Sequence, residues 1–181
     1  MIEKEFERKL IIGENDYITL LQDFNKNFIR EDILQINYYY DTPDYNIFHS
    51  DETVRVRQIN DSLKLQYKYN KNYSGDIRIS NEYSEKISEL PQAIIINGIK
   101  VNNIGFMVTE RINFKLMDCI ISLDKNYYLG MVDYEIEVET TNEINLPDIL
   151  QKLNFKVDSQ GKYSRYIEKL LKQEYKYELQ K

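Results

Sequence analysis

Charged and apolar residues alternate along several segments of this chain, and the charges are sorted by sign from one segment to the next. Glu3, Glu5, Glu7 and Lys9 fall on one side of a period-two pattern, with Phe6 and Leu10 on the other. From Met131 to Glu139, Asp133, Glu135, Glu137 and Glu139 alternate with Val132, Tyr134, Ile136 and Val138. The middle of the chain has the same pattern in the opposite sign. Arg55 and Arg57 alternate with Val54 and Val56, Lys64, Gln66 and Lys68 with Leu63, Leu65 and Tyr67, and Arg111, Asn113 and Lys115 with Ile112, Phe114 and Leu116.

A row of like charges on one strand face is unfavourable unless water, cations or opposing groups neutralise it. An open sheet with its polar face in water accounts for alternation, but not for sorting by sign. A closed antiparallel barrel with the charged faces turned inward does account for it, provided helices cover the apolar outside. The expected product is a charged tunnel.

The chain of 181 residues suits one domain, residues 1–181, and its 42% hydrophobic and 30% charged composition is that of a folded globular protein. The N-terminus is charged from its third residue and no apolar run reaches membrane-span length, so neither a secretory signal nor an anchor is expected and the cytoplasm is the expected location. The net charge of −6 argues against a nucleic-acid surface while leaving room for a local basic pocket. Cys119, the single cysteine, excludes an internal disulfide and lies in the apolar run Met117 to Ile121, as a small core residue would. His49, the single histidine, sits in a polar turn. A histidine-based triad or zinc site is therefore not expected.

Tyr17, Leu20, Leu21, Phe24 and Phe28 recur at helical spacing after Gly13 to Asp16. Strands are expected at Gln35–Tyr40, Thr53–Ile59, Ser62–Tyr69 and Ile77–Ser84, and Asn60-Asp61 makes the second and third of these a hairpin. Glu85 to Asn97 reads as a helix around Pro91, closed by Gly98. Late strands follow at Met107–Leu116, Cys119–Leu123 and Met131–Glu139, then a short helix at Leu146–Leu153 and a C-terminal helix at Tyr163–Leu179.

The inward candidates are Glu5, Glu7, Glu82, Asp124, Glu135 and Glu137 on the acidic side, with Glu3, Asp133 and Glu139 nearer the mouths. The basic candidates are Lys9, Arg55, Arg57, Lys64, Lys68, Arg111 and Lys115. Carboxylates gathered without histidine or thiolate favour hard divalent cations, Mg2+ or Mn2+. Guanidinium forks and ammonium groups suit phosphate oxygens. One ligand class satisfies both sets: a small polyanion that carries metal.

Glu5-Phe6-Glu7-Arg8-Lys9 resembles the ExExK signature of the CYTH superfamily, the triphosphate tunnel metalloenzymes. Asn37 to Pro43 looks like that family's NYYFDT segment, Val54 to Arg57 like its LRIR, and Lys64 to Lys68 like its lysine strand. Thr109 to Arg111, Leu123-Asp124, Tyr134 to Glu137 and Gly161 to Arg165 look like the later blocks. The lysine strand departs from the pattern in lacking the usual threonine and proline neighbours. The resemblance implies an α+β fold built on an eight-stranded antiparallel β-barrel, with helices packed outside. It also implies catalytic roles for Glu5, Glu7 and Lys9, phosphate contacts from Arg55, Arg57, Lys64 or Lys68, Arg111 and Lys162, and metal ligands among Glu5, Glu7, Glu82, Asp124, Glu135 and Glu137.

The expected activity is metal-dependent hydrolysis of a small-molecule triphosphate, inorganic triphosphate or thiamine triphosphate, with neither nucleic acid nor membrane as partner. An adenylate cyclase making cyclic AMP would need the same clamp plus an adenosine pocket, which the sequence does not display. A non-catalytic polyphosphate-binding module would have little use for so many inward carboxylates.

Overall fold

Nine strands follow from the alternating segments in the computed structural model, which describes residues 2–116, 119–140, 153 and 160–178. In chain order the elements are β1 (Ile2–Ile12), α1 (Glu14–Asn27), β2 (Arg30–Asp41), α2 (Asn46–His49), β3 (Thr53–Ile59), β4 (Ser62–Ser74) and β5 (Ile77–Ile87). β6 (Ala93–Ile96), β7 (Ile99–Leu116), β8 (Cys119–Tyr128), β9 (Met131–Thr140) and α3 (Lys162–Glu178) complete them. The sheet runs β2-β3-β4-β5-β1-β9-β8-β7, and β2 pairs with β7 to close eight antiparallel strands into a barrel. β6 hangs on β7 as a short ninth strand.

Each strand turns its apolar side outward. Tyr17 and Phe24 of α1 pack on Ile112 and Phe114 of β7, Ile121 and Leu123 of β8, and Ile136 and Val138 of β9. A second apolar cluster joins Val54, Val56 and Met107 to Tyr163, Tyr166 and Ile167 of α3. The face of α3 expected from sequence, Tyr163, Tyr166, Ile167 and Leu170, is the one that packs.

Asp41 anchors α3. Its buried carboxylate accepts the backbone N–H groups of Thr42 at 2.7 Å, Ile47 at 2.9 Å and Phe48 at 3.0 Å, together with the hydroxyl of Tyr163. The Asp41-Thr42-Pro43 turn thus fixes the start of α2 and the first turn of α3 at one point. Tyr39 stacks against Tyr163 and Tyr166, with ring centroids 5.0 and 5.2 Å apart. Tyr39 and Tyr40 are fully buried in this packing, as sheet residues and not as a stacking platform.

The helix expected over Glu85–Asn97 is not formed. β5 continues to Ile87, and Ala93–Ile96 is a strand paired with Ile99–Asn102. Three consecutive isoleucines favour a pleated backbone over a helix. Asn97-Gly98, with φ of 50° and 79°, is the Asn-Gly turn of a two-residue hairpin and not a helix end. β7 accordingly starts at Ile99, and β4 runs on to Ser74. The helix expected at Leu146–Leu153 falls, apart from Leu153, outside the described residues.

At Gly105 the packing of α3 on the barrel requires a glycine. Its φ is 133°, and a Cβ there would lie 1.9 Å from the Tyr166 hydroxyl oxygen, which itself donates to the Ile104 carbonyl at 3.1 Å. Gly105→Ala should cost about 2–4 kcal/mol in urea unfolding, combining backbone strain with overpacking. Tyr166→Phe alone should cost about 1 kcal/mol. Made in the Gly105→Ala protein, it should instead recover part of the loss, and additive losses would show that the two groups do not meet.

Candidate active site

The barrel interior is electrically divided into two arcs. β5, β1, β9 and β8 are consecutive around the ring and contribute Glu82, Glu5 and Glu7, Glu135 and Glu137, and Asp124. β7, β2, β3 and β4 form the other arc, with Arg111, Asn37, Arg55 and Arg57, and Lys68. The sign sorting of the sequence is therefore a spatial sorting: an acidic wall facing a basic wall.

The register joins the walls. Arg111 stands opposite Asp124 on the neighbouring strand and donates to it at 2.8 and 2.6 Å, and it also bonds Glu137. Lys9 stands opposite Glu137, 3.2 Å away, and 3.1 Å from Glu7. Lys68 pairs with Glu5 and lies 3.5 Å from Glu82. Arg55 donates to Gln66 at 2.9 Å, and Gln66 in turn donates to Glu82 at 2.5 Å. From the first turn of α3, Lys162 enters the interior and reaches Asp124, Glu135 and Glu137.

Of the residues expected at the site, Glu7, Lys9, Arg55, Arg57, Lys68, Arg111, Glu137 and Lys162 line one central cavity. Glu82, Asp124 and Glu135 are buried and ion-paired to that lining. Glu5 is half-buried against Lys68. The structure separates the two lysines that the sequence left as alternatives: Lys68 lines the cavity, whereas Lys64 is exposed. Lys115 and Glu3 are exposed as well, and Asp133 pairs with Arg165 at 2.9 Å. His49 is exposed on α2, and Cys119 is buried in the apolar cluster under α1.

Lys71, Arg78 and Arg165 also belong to the interior charge set, although sequence reasoning did not single them out. Arg78 lies 3.3 Å from Glu7, and Arg165 lies 2.7 Å from Glu135. Arg78 shares the parity of Ser80 and Glu82, so extending the alternation backward along β5 would have found it. Lys71 lines the cavity because the β4–β5 register slips between Tyr69 and Asn72, at Asn70 with its φ of 52°. The bulge breaks the alternation from which the other interior residues were read.

Neighbouring acids titrate apart. Burial alone would raise Glu7, but Lys9, Lys68 and Arg78 outweigh it and hold the carboxyl at about 2. Burial raises Glu5, helped by Glu82 and Glu139 against the pull of Lys68. On β9, burial raises Glu135, whereas Lys162, Lys9 and Arg111 overcome burial and hold Glu137 well below the usual carboxylate range. Two cavity cations are lowered instead of raised: Lys71, by burial, and Arg57. Burial, then Arg55 and Arg111, lower it to about 10, and Asn37 accepts its Nε at 3.1 Å. No carboxylate pairs with Arg57 among the described residues.

Among the described residues the cavity lining has neither histidine nor cysteine, and carboxylate oxygens of Asp124, Glu135 and Glu137 all lie within 4.8 Å of one another. Glu82 adds a buried oxygen, Oε2, without a hydrogen-bond donor. This set fits a hard divalent cation.

A sequence profile of the CYTH domain matches residues 3–178. Among solved structures, a candidate adenylate cyclase from Bacillus halodurans is 21% identical with a TM-score of 0.72, over 91% of this chain and 98% of that one. A candidate adenylyl cyclase from Hippeastrum, described as having a dominant triphosphatase activity, is 20% identical with a TM-score of 0.70, over 91% and 95%. The Mimivirus capping-enzyme triphosphatase is 14% identical with a TM-score of 0.53, over 80% and 83%. At these identities the likeness is one of fold. Comparison with curated protein sequences gives no match.

The state of Arg57 has a measurable consequence. A cation whose folded pKa lies below its ordinary value destabilises the fold while it is charged; the penalty is complete below about pH 10 and fades as pH rises toward 12.5. Arg57→Met should therefore stabilise the ligand-free protein at neutral pH by about 1–2 kcal/mol in denaturant unfolding. A loss of stability would show that Arg57 is already compensated.

Proposed function

The chain belongs to the CYTH family, and from that premise we propose that it hydrolyses a short linear triphosphate, inorganic triphosphate or thiamine triphosphate, with the help of Mg2+ or Mn2+. The observation that carries this reading is Arg57: a largely buried guanidinium beside Arg55 and Arg111, without a carboxylate partner among the described residues, in a cavity whose opposite wall is acidic. Such a group is completed by an anion entering the cavity. Arg55, Arg57, Lys68, Arg111 and Lys162 would contact phosphate oxygens, and Lys71 and Arg78 extend that cationic surface. Glu5, Glu7 and Glu82, and Asp124, Glu135 and Glu137, are the groups that would hold metal.

In this reading water attacks a terminal phosphorus, a new P–O bond forms, and the anhydride P–O bond breaks to release the shorter phosphate chain. The arginines and lysines neutralise charge on the transferring and leaving oxygens as it develops. A bound divalent ion supplies further neutralisation of those oxygens. Carboxylates of the acidic wall orient the water and accept its proton, and Glu5 and Glu135, the two whose pKa burial raises, suit proton acceptance best. No helix among the described residues is long and apolar enough to cross a membrane.

Cyclisation of ATP is a second reading, raised by two neighbours described as candidate adenylate cyclases. The central cavity is lined mainly by charged and polar groups, which offer adenine no apolar seat. Released phosphate against cyclic AMP, measured from ATP, separates the two.

Initial rates at equal concentration with saturating Mg2+ should fall in the order tripolyphosphate or thiamine triphosphate, then pyrophosphate, with p-nitrophenyl phosphate almost inert. Excess chelator should abolish turnover and Mn2+ should restore it. Arg57→Ala should lower kcat/KM by about ten-fold to a hundred-fold, the loss of one charge-assisted contact. Glu7→Gln should lower metal-dependent turnover while leaving the fold intact. A preference for the monoester, or full activity in chelator, would overturn the reading.

A further inference from the structure

The acidic pocket best shaped for a divalent ion already contains a cation of the protein's own. Lys162 Nζ lies 2.8 Å from Asp124 Oδ2 and 2.9 Å from Glu137 Oε1, and it also bonds Glu135. These are the three carboxylates whose oxygens lie within 4.8 Å of one another. An ammonium in contact with all three occupies the place a metal would take, so the two cannot be there together.

The other ion pairs of the triad show which cation could leave. Asp124 is held by both ends of the Arg111 fork, Glu137 by Arg111 and Lys9, and Glu135 by Arg165 at 2.7 Å. Of the cations that touch the triad, Lys9, Arg111 and Arg165 are shared with Glu7, Glu139 and Asp133, whereas Lys162 neutralises the triad alone. A divalent ion added beside the Lys162 ammonium would lie against a like charge; one that replaces it would not. Lys9 and Arg111 stand directly across the ladder from Glu137 and Asp124 and are each paired as well with an acid outside the triad, Glu7 and Glu139. Arg165 is held by Asp133 and by the Gln160 carbonyl as well as by Glu135. Lys162 alone of the four combines a flexible stem with a position on the cavity lining and ion pairs confined to the triad.

We infer that Lys162 is the resident counter-ion of the Asp124–Glu135–Glu137 pocket, and that a divalent metal enters this pocket only in exchange for the Lys162 ammonium, which turns into the cavity. The inference rests on the reading of the tunnel as a metal site, and it makes Lys162 the residue that sets how many metal ions the substrate-free protein holds. It also gives an order to loading. The cations that line the cavity are already paired with interior carboxylates, so a phosphate chain gains their contacts only as some of those ion pairs break. An anion in the cavity offers the displaced ammonium a new partner, so anion and metal each favour the other's entry.

Metal binding tests this directly. Mn2+ titrated into the phosphate-free protein, with bound ion followed by calorimetry and by the loss of the free Mn2+ resonance signal, should show Lys162→Met gaining one ion per chain over wild type, or binding Mn2+ about tenfold or more tightly. Lys162→Met/Glu135→Gln should lose that gain. Equal binding by wild type and Lys162→Met would overturn the inference, as would a gain that survives Glu135→Gln. Because removing Lys162 leaves buried carboxylates short of a cation, a second measurement uses wild type alone. Acetylation of Lys162, read by mass spectrometry against exposed Lys64 as internal standard, should be suppressed without metal and rise severalfold with saturating Mn2+. Unchanged labelling would overturn the exchange. Neither readout involves turnover: metal exchange without tripolyphosphate hydrolysis would sink the proposed function and keep this inference, and hydrolysis without exchange would do the reverse.

Discussion

Neutralisation of an acidic wall by a basic wall, inside one closed barrel, is the constraint on which the rest of the structure depends. Moving an ion out of water costs several kcal/mol even after relaxation, and interior ion pairs return that cost only with good geometry. β5, β1, β9 and β8 supply the acids in sequence around the ring, with Lys9 and Arg78 among them, and β7, β3 and β4 of the other arc supply bases, so neither arc is tolerable without the other. Closure through the β2–β7 pairing puts them face to face. It also forces the apolar sides outward, where α1 covers β7, β8 and β9.

The third helix joins the charge balance. Asp41 gathers three backbone N–H groups and the Tyr163 hydroxyl, and this anchor places Lys162, one residue earlier, at the acidic wall. Gly105 lets Tyr166 approach β7 closely enough to hold the same helix. A motif that reads in sequence as Gly-Lys-Tyr-Ser-Arg is in structure a plug: Lys162 and Arg165 supply cations to Asp124, Asp133, Glu135 and Glu137, while Tyr163 supplies the attachment. The one interior cation without a carboxylate among the described residues, Arg57, stands on the basic wall, where the proposed phosphate chain would complete it.

The parts of the site that were legible in sequence are those in which strand alternation is unbroken. Glu5 and Glu7, Arg55 and Arg57, Arg111, and Glu135 and Glu137 each keep a strict period of two within one strand, and each is found on the interior side. Lys71 was illegible because the bulge at Asn70 alters the parity, and a bulge depends on the partner strand as much as on the local residues. The choice between Lys64 and Lys68 was illegible for a different reason. Both have inward parity, and only the register of β4 against β5 sets Lys68 opposite Glu82 and Lys64 opposite Lys86, where it stays exposed. The misread helix at Glu85–Asn97 shows acidic and lysine residues outweighing an isoleucine run whose decisive signal, Asn97-Gly98, lies at its end.

The sequence by itself determined that this chain folds as a barrel with a charged interior, because period-two patterning sorted by sign is stable only where opposite faces can neutralise each other out of bulk water. The family blocks along the chain pointed to many of the interior residues, though Lys64 of the lysine block is exposed and Lys71 and Arg78 lie outside the blocks. What only the tertiary structure decided is which charge meets which: that Arg57 is left without a carboxylate partner, that Lys68 and not Lys64 reaches the cavity, and that Lys162 sits among Asp124, Glu135 and Glu137. The interior pairs span up to 128 residues of chain, as between Lys9 and Glu137. They depend on strand register and the docking of a helix, and Coulomb energy falls off with distances that no linear pattern specifies.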